Sequence, residues 1–280
     1  MTAEAPGLDD AELDDADLLR YARQIVLREV GGRGQQRLGA ASVAVVGAGG
    51  LGSPVLLYLV AAGVGRITIV DDDTVNLDNL GRQVVFTEDD VGAPKAARGA
   101  ERLAALNSRV TLTPRVVRLT PGNADELLGG HDLIVECSDS FATKLAVADA
   151  GVRLGIPAVT GAVVRLDGQV VVAVPGNSCY RCLVLEEPDP AHFPTCSGAG
   201  VLGPVAGMVG SLQASEALRL LLGAGEPQGG SVHVIDALVP RMRCVPLPID
   251  PRCPNHPDAG AVPPAAARRS VPPPWDGRTS

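Results

Sequence analysis

Two short segments, Cys179-Tyr-Arg-Cys182 and Cys253-Pro-Asn-His256, constrain this chain more than any other feature. They stand seventy residues apart and tie the far end of the chain to its middle if they share an ion. Each is a C-x-x-(C/H) knuckle, and together they offer three thiolates and one imidazole, a complete tetrahedral set for zinc. A closed four-ligand shell leaves no position for water, so the implied ion is structural and the chemistry must lie elsewhere. Unlinked cysteines beside a surface histidine are the competing reading, which the short spacing at both ends disfavours.

Length and charge bound the rest. A chain of 280 residues is one large domain or two small ones, with ample material for a buried core. Its net charge of −8 argues against a phosphate-backbone binder, and 2% aromatic residues leave no evident base-stacking platform. Nucleic acid is therefore not the expected partner, while a nucleotide held by a local glycine loop remains open. Six acidic residues between Asp9 and Asp17, with no Lys or Arg before Arg20, do not make a secretory signal. Six cysteines, three of them in metal knuckles, fit a reducing cytoplasm better than a disulfide scaffold. The uncharged stretch from Leu38 to Gly65 is long enough for a membrane span. Its seven glycines and one proline instead predict a buried strand, a tight turn and a buried helix, and no membrane.

Three regions follow: an acidic mobile leader over 1–17, one domain over 18–256, and a disordered Pro/Ala-rich tail over 257–280. Within the domain, a helix from about Leu18 leads to a turn at Gly31-Gly32. "SVAVVG", "RITIVDDD", "VTLTPRVVRL" and "DLIVECSD" read as strands; "SPVLLYLVAAGVG", "PKAARGAERLAALN" and "TKLAVADAGVRLG" read as helices between or after them. "PAVTGAVVRLDGQVVVAV" is expected to be a strand pair turning at Asp167-Gly168. A Gly-rich loop around Cys196, a helix near 204–223 and a strand pair near 231–249 complete the pattern. The expected fold is α/β: a doubly wound, Rossmann-like, mostly parallel sheet with a zinc-stapled antiparallel extension at the C-terminal end. Cys137 and Cys244 end apolar strands and are expected to be buried packing residues.

Gly47, Gly49, Gly50 and Gly52 sit between the first strand and its helix, the context in which backbone N–H groups approach a phosphate at a helix N-terminus. Asp71 ends the next strand, where an acid can bond ribose hydroxyls. That constellation locates a nucleotide without naming it. The loop that follows carries Asn79, Arg82 and Gln83, and Lys95 opens a helix thirteen residues beyond Arg82. A dehydrogenase needs no such cations, whereas an enzyme that expels pyrophosphate does; two solvated surface cations are the bland alternative. Asp139, just past the strand "LIVEC", stands where a carboxylate can hold Mg²⁺ against phosphates.

In order, GAGGLG, the acid-ended second strand, DNLGRQ, VGAPK, CSDS, CYRC and the late metal pair resemble the ubiquitin-activating-enzyme-like family, nearest to the bacterial adenylyltransferases that activate sulfur carriers for molybdopterin and thiamine biosynthesis. The resemblance runs from about Leu18 to His256. It implies binding of Mg-ATP, adenylation of the C-terminal glycine of a small ubiquitin-like sulfur-carrier protein ending in Gly-Gly, and release of pyrophosphate. It further implies that the glycines approach the phosphates, that Asp71 meets the ribose, that Asn79, Arg82 and Lys95 contact the triphosphate, and that Asp139 serves the metal. "RYARQIVL" resembles the family's RYxRQ element, which makes Arg23 an arginine finger that reaches across a homodimer. Cys196 matches a loop cysteine that some relatives link covalently to the carrier; a bystander thiol is the equal alternative. Two departures are visible: His256 stands where a cysteine is usual, and Ser140 where an asparagine is usual. Because no sulfurtransferase-like segment follows residue 257, a separate sulfur donor is expected. The competing functions are a nicotinamide-dependent oxidoreductase, disfavoured by Arg82 and Lys95 and by the lack of a domain with an acid–base histidine, and a non-catalytic zinc-stabilised nucleotide-binding scaffold.

Overall fold

A computed structural model describes residues 13–188, 200–225 and 229–257. Eight strands form one sheet in the order β3-β2-β1-β4-β5-β6-β7-β8. The strands are β1 (Ser42–Val46), β2 (Arg66–Val70), β3 (Thr111–Arg115), β4 (Leu133–Glu136), β5 (Ala158–Val164), β6 (Asp167–Ala173), β7 (Ser231–Asp236) and β8 (Arg241–Pro246). From β3 through β5 all pairings are parallel; from β5 through β8 all are antiparallel. The parallel half has the doubly wound order, and β1 and β4 flank the point where the chain reverses direction across the sheet.

Burial on both faces explains why β1 is a continuous apolar run. Val43 and Val45 pack into one core with α4 (Gly52–Ala62), α5 (Lys95–Leu106) and α8 (Gly203–Leu222). Ala44 and Val46 face a second core with α6 (Ala124–Leu128) and α7 (Phe141–Leu154). A strand covered on both faces has no reason to alternate polar and apolar residues. The uncharged stretch that has the length of a membrane span is thus β1, the glycine turn and α4. Among the described residues no helix is long and apolar enough to cross a membrane.

The chain departs from its sequence-based reading in four places. Helix α1 (Asp15–Arg20) starts within the acidic leader, because Asp14 caps it by accepting from the Asp17 N–H at 2.8 Å and pairs with Arg109 at 2.6 Å. Gly31 and Gly32 begin α3 (Gly31–Ala40) rather than forming a separate turn. The β5–β6 hairpin turns at Arg165-Leu166, with Arg165 at φ +57°, and Asp167 already pairs with Val164. Gly168 is needed for packing instead: a Cβ there would lie 2.3 Å from Val209 of α8. Cys244 is exposed because β8 is the edge strand and neither of its faces is covered. Residues 1–12 of the leader, the loop around Cys196 and positions 258–280 of the tail lie outside the described residues.

Two close approaches fix the glycine turn. Gly47 adopts φ +94°, and a Cβ on it would lie 2.9 Å from both the Cys137 carbonyl carbon and the Ser138 nitrogen. A Cβ on Gly52 would lie 2.0 Å from the Gly47 carbonyl oxygen. Gly39, on the exposed side of α3, has open space around it. In urea denaturation, Gly52→Ala is expected to lose at least about 1–3 kcal/mol by overpacking. Gly39→Ala is expected to gain about 0.5–1 kcal/mol through backbone entropy. Equal effects from the two substitutions would contradict the close-approach account.

Candidate functional site

A cavity of about 400 Å³ opens at the C-terminal ends of β1, β2 and β4, where the strand order reverses. Gly47, Gly49, Gly50, Asp71, Asn79, Arg82, Lys95, Asp139 and Ser140 all line it. Gly52 lies beneath, as the first residue of α4, and serves the turn by its close packing. The sequence therefore placed nine candidates on one surface, and the reason is topological: each follows the C-terminal end of a parallel strand.

Asp71 ties the second strand to the glycine turn. Its Oδ2 accepts from the Ala48 N–H at 2.7 Å and its Oδ1 from the Asp73 N–H at 2.8 Å. Burial pushes its carboxyl above the ordinary aspartate value, while those two N–H groups and Lys95 pull the other way. Each oxygen keeps a lone pair for a ligand hydroxyl. Asn79 is buried in a short 3₁₀ turn, where its Oδ1 accepts from the Asn76 N–H and its Nδ2 donates to Asp78. Arg82 leans its aliphatic stem toward Gly50 and donates to the Asp78 carbonyl at 3.2 Å. Lys95, at the first position of α5, is 5% exposed and pairs with Asp73 at 3.0 Å. Asp139 is exposed at the rim, and Ser140 caps α7 by accepting from the Thr143 N–H.

The wall also contains residues that the motif reading missed. Glu136 ends β4 fully buried, and Lys144 of α7 is 3% exposed and lines the cavity. The Lys144 ammonium donates to the Glu136 carboxylate, to the Ser138 carbonyl at 2.7 Å and to the Gly161 carbonyl at 2.6 Å. Glu136 in turn accepts from the Ser138 N–H at 2.8 Å and from its hydroxyl. Burial raises the Glu136 carboxyl, and the Lys144 charge opposes that rise. The pair thus clamps Ser138, the residue before Asp139. A lysine directly before the apolar run "LAVA" is the available sequence signal. Gln83, which the sequence does place on the loop with Arg82, is buried against the cavity with its Oε1 lacking a hydrogen-bond partner.

Arg23 does not reach this cavity. It projects from α2 (Ala22–Ile25) into solvent, while its neighbours in the same motif point inward. The Tyr21 hydroxyl accepts from Asn107 Nδ2 at 2.9 Å, and Gln24 Nε2 donates to the Ala62 carbonyl at 2.9 Å. Cys196 lies outside the described residues.

The four knuckle residues do converge. Their ligand atoms all lie within 4.8 Å of one another, and the Cys179 and Cys253 sulfurs are 3.8 Å apart. A tetrahedron with Zn–S bonds of about 2.3 Å has an edge of about 3.8 Å. His256 Nε2 is buried with no hydrogen-bond partner, and burial pushes the Cys179 thiol up and the Cys253 thiol up to about 12. An orphaned imidazole nitrogen facing three thiols, two of them costly to ionise alone, fits a soft divalent cation. Cys137, by contrast, is a buried packing residue, as expected, with its thiol raised by burial.

The sequence profile of the ThiF family matches residues 21–255. The chain is 50% identical over 244 residues to the sulfur carrier protein adenylyltransferase of Thermus thermophilus, covering 85% of this chain and 90% of that protein. It is 45% identical over 242 residues to the SAMP-activating enzyme E1 of Haloferax volcanii, covering 86% and 90%. Among solved structures, E. coli MccB superposes with a TM-score of 0.75 at 22% identity, over 87% of this chain and 73% of MccB, which is a likeness of fold.

Removing one partner of a buried ion pair leaves the other charge uncompensated. Lys144→Met is expected to cost about 3–5 kcal/mol in urea denaturation. Adding Glu136→Met should recover part of that loss. A single variant as stable as the parent would show that the pair carries no such strain.

Proposed function

The chain belongs to the ThiF family, and we propose that it is an ATP-dependent adenylyltransferase that activates the C-terminal glycine of a small ubiquitin-like sulfur-carrier protein. The observation that carries this reading is the placing of Arg82 and Lys95 beside the glycine turn, with Asp139 across the same cavity. Cations there neutralise the negative charge that builds as pyrophosphate departs. A nicotinamide enzyme has no use for them, and no histidine is among the described residues that line the cavity. A purely structural scaffold would have no need of all three charged groups.

In the proposed reaction, a carboxylate oxygen of the carrier's terminal glycine attacks the α-phosphorus of ATP. The bond from that phosphorus to the α,β-bridging oxygen breaks, pyrophosphate leaves, and the carrier holds AMP as a mixed anhydride. The N–H groups of the Gly47–Gly52 turn approach the phosphates, Asp71 accepts from the ribose hydroxyls, and Asn79, Arg82 and Lys95 hold the triphosphate. Asp139 is the residue for Mg²⁺, which when bound shields the phosphate oxygens from one another. Ser140 offers a hydroxyl beside it. Ala162, Val163, Val164, Val201 and Ala206 also line the cavity, and uncharged walls of that kind suit a thin Gly-Gly tail. Cys196 is the candidate thiol for a covalent link to the activated carrier. A separate protein supplies sulfur, in molybdopterin, thiamine or a related biosynthesis. The ion held by Cys179, Cys182, Cys253 and His256 is zinc with a structural role, since its four protein ligands close the shell.

Arg23 is proposed to act in a homodimer, entering the partner subunit's cavity. Its exposure on α2, with Tyr21 and Gln24 as inward anchors, supports this reading.

ATP–pyrophosphate exchange is expected to require a carrier ending in Gly-Gly. Arg82→Ala should slow exchange by about 10²–10³-fold, the usual weight of one preorganised contact to developing charge. Asp139→Ala should slow it comparably, and unchanged exchange in either variant would refute the assigned role. Separately, Arg23→Ala and Lys95→Ala proteins should each be inactive, and their mixture should regain part of the activity after subunit exchange. Confirmed exchange without recovery would place Arg23 outside the partner's site.

A further inference from the structure

The two metal knuckles come from distant parts of the chain, and a single carboxylate that is not a ligand touches both. Arg181, between Cys179 and Cys182, meets Asp149 of α7 through two nitrogens: Nε on Oδ1, and Nη2 on Oδ2 at 2.7 Å. Its remaining nitrogen, Nη1, donates to the Leu185 carbonyl at 2.7 Å, so the guanidinium is held on three sides. Asn255, between Cys253 and His256, donates its Nδ2 to the same Asp149 Oδ1 at 2.8 Å and lies 3.6 Å from the Cys179 sulfur. The Asp149 and Arg181 side chains are 29% and 19% exposed, partly withdrawn from solvent. One non-ligand residue of each knuckle, Arg181 or Asn255, therefore converges on one point of α7.

We propose that Asp149 is a positioning residue for the metal: it seats the two knuckles against each other, so that four ligands from opposite ends of a seventy-residue excursion face a common centre. The proposal rests on the zinc reading of the cluster and not on adenylation chemistry. Two physical effects combine. The clamp meets part of the loop-closure entropy that the ion would otherwise have to overcome. The Asn255 amide, oriented by Asp149, points a donor at the Cys179 sulfur and helps fix where that ligand sits, as outer partners of metal ligands commonly do.

The test is zinc content by elemental analysis together with chelator competition on the full chain. Wild type should carry one zinc per chain. Asp149→Ala should bind zinc about 10–100-fold more weakly. Asn255→Leu, which removes only the second knuckle's contact, should weaken it less. Val147→Ala opens a cavity in the same helix away from the clamp, and should lower thermal stability while leaving zinc affinity unchanged. Wild-type affinity in Asp149→Ala overturns the proposal, and so does an equal loss in Val147→Ala, which would mean that any loosening of α7 releases the ion. Should Asp149→Ala fail to fold, Asp149→Asn and Asn255→Leu decide, since both must weaken zinc binding at unchanged circular dichroism. Zinc-free wild-type protein would overturn the zinc reading and the proposal with it, leaving the exchange assay to judge the adenylation reading separately.

Discussion

The arrangement of this protein depends on one close backbone contact, where the turn after β1 lies against the turn after β4. Only a residue without a Cβ fits at Gly47, because the Cys137–Ser138 peptide occupies the space a side chain would need. The contact is closed by hydrogen bonds on both sides: the Gly47 N–H donates to the Val70 carbonyl at 2.8 Å, and the Cys137 N–H to the Val46 carbonyl at 2.7 Å. With Gly52 seated on the Gly47 carbonyl, α4 begins directly above the turn. Everything that follows a parallel strand in the first half of the chain is thereby brought to one rim.

Charge at that rim is arranged in pairs, although the chain as a whole is acidic. Lys95 leans on Asp73, Arg118 on Asp72 at 3.0 Å, and Arg82 on the Asp78 carbonyl. These contacts hold the cations in place without burying them beyond reach of a ligand, since the residues concerned line the cavity. Below the rim the logic differs. Glu136 and Lys144 are out of solvent, so their attraction is strong only because every donor on the lysine has an acceptor. The result is a rigid floor under the Ser138–Ser140 segment.

Helix α7 joins the two halves of the molecule. Its cap is Ser140 at the cavity, its first turn holds Lys144 in the ion pair, and its second half carries Asp149 to the metal knuckles. A helix fastened at three successive levels has little freedom to slide along the sheet. The Cys/His cluster and the cavity where the strand order reverses, although made of different residues, share that helix.

Much of this was legible in the sequence, and the reasons are local. A glycine run between a β-branched strand and a helix start, an acid at a strand end, and knuckles of two-residue spacing each encode their geometry within a few residues. Helix starts and stops also followed, since Pro94 and Asn107 flank α5 as their chemistry requires. The errors arose where a residue's reason is remote. Gly168 suggested a turn but is small because α8 presses on it, and Cys244 looked like a core residue because the strand's lack of a neighbour is invisible in one dimension. Lys144 and Glu136 were passed over since nothing in their spacing shows that both are removed from water. The sequence by itself determined the kinds of chemistry present and the elements that carry them, because turn, cap and ligand spacings are short-range. Only the tertiary structure decided which charges are buried together, that Arg23 turns outward while Tyr21 and Gln24 anchor the same segment, and that Asp149 meets both knuckles, because these follow from contacts between segments tens of residues apart.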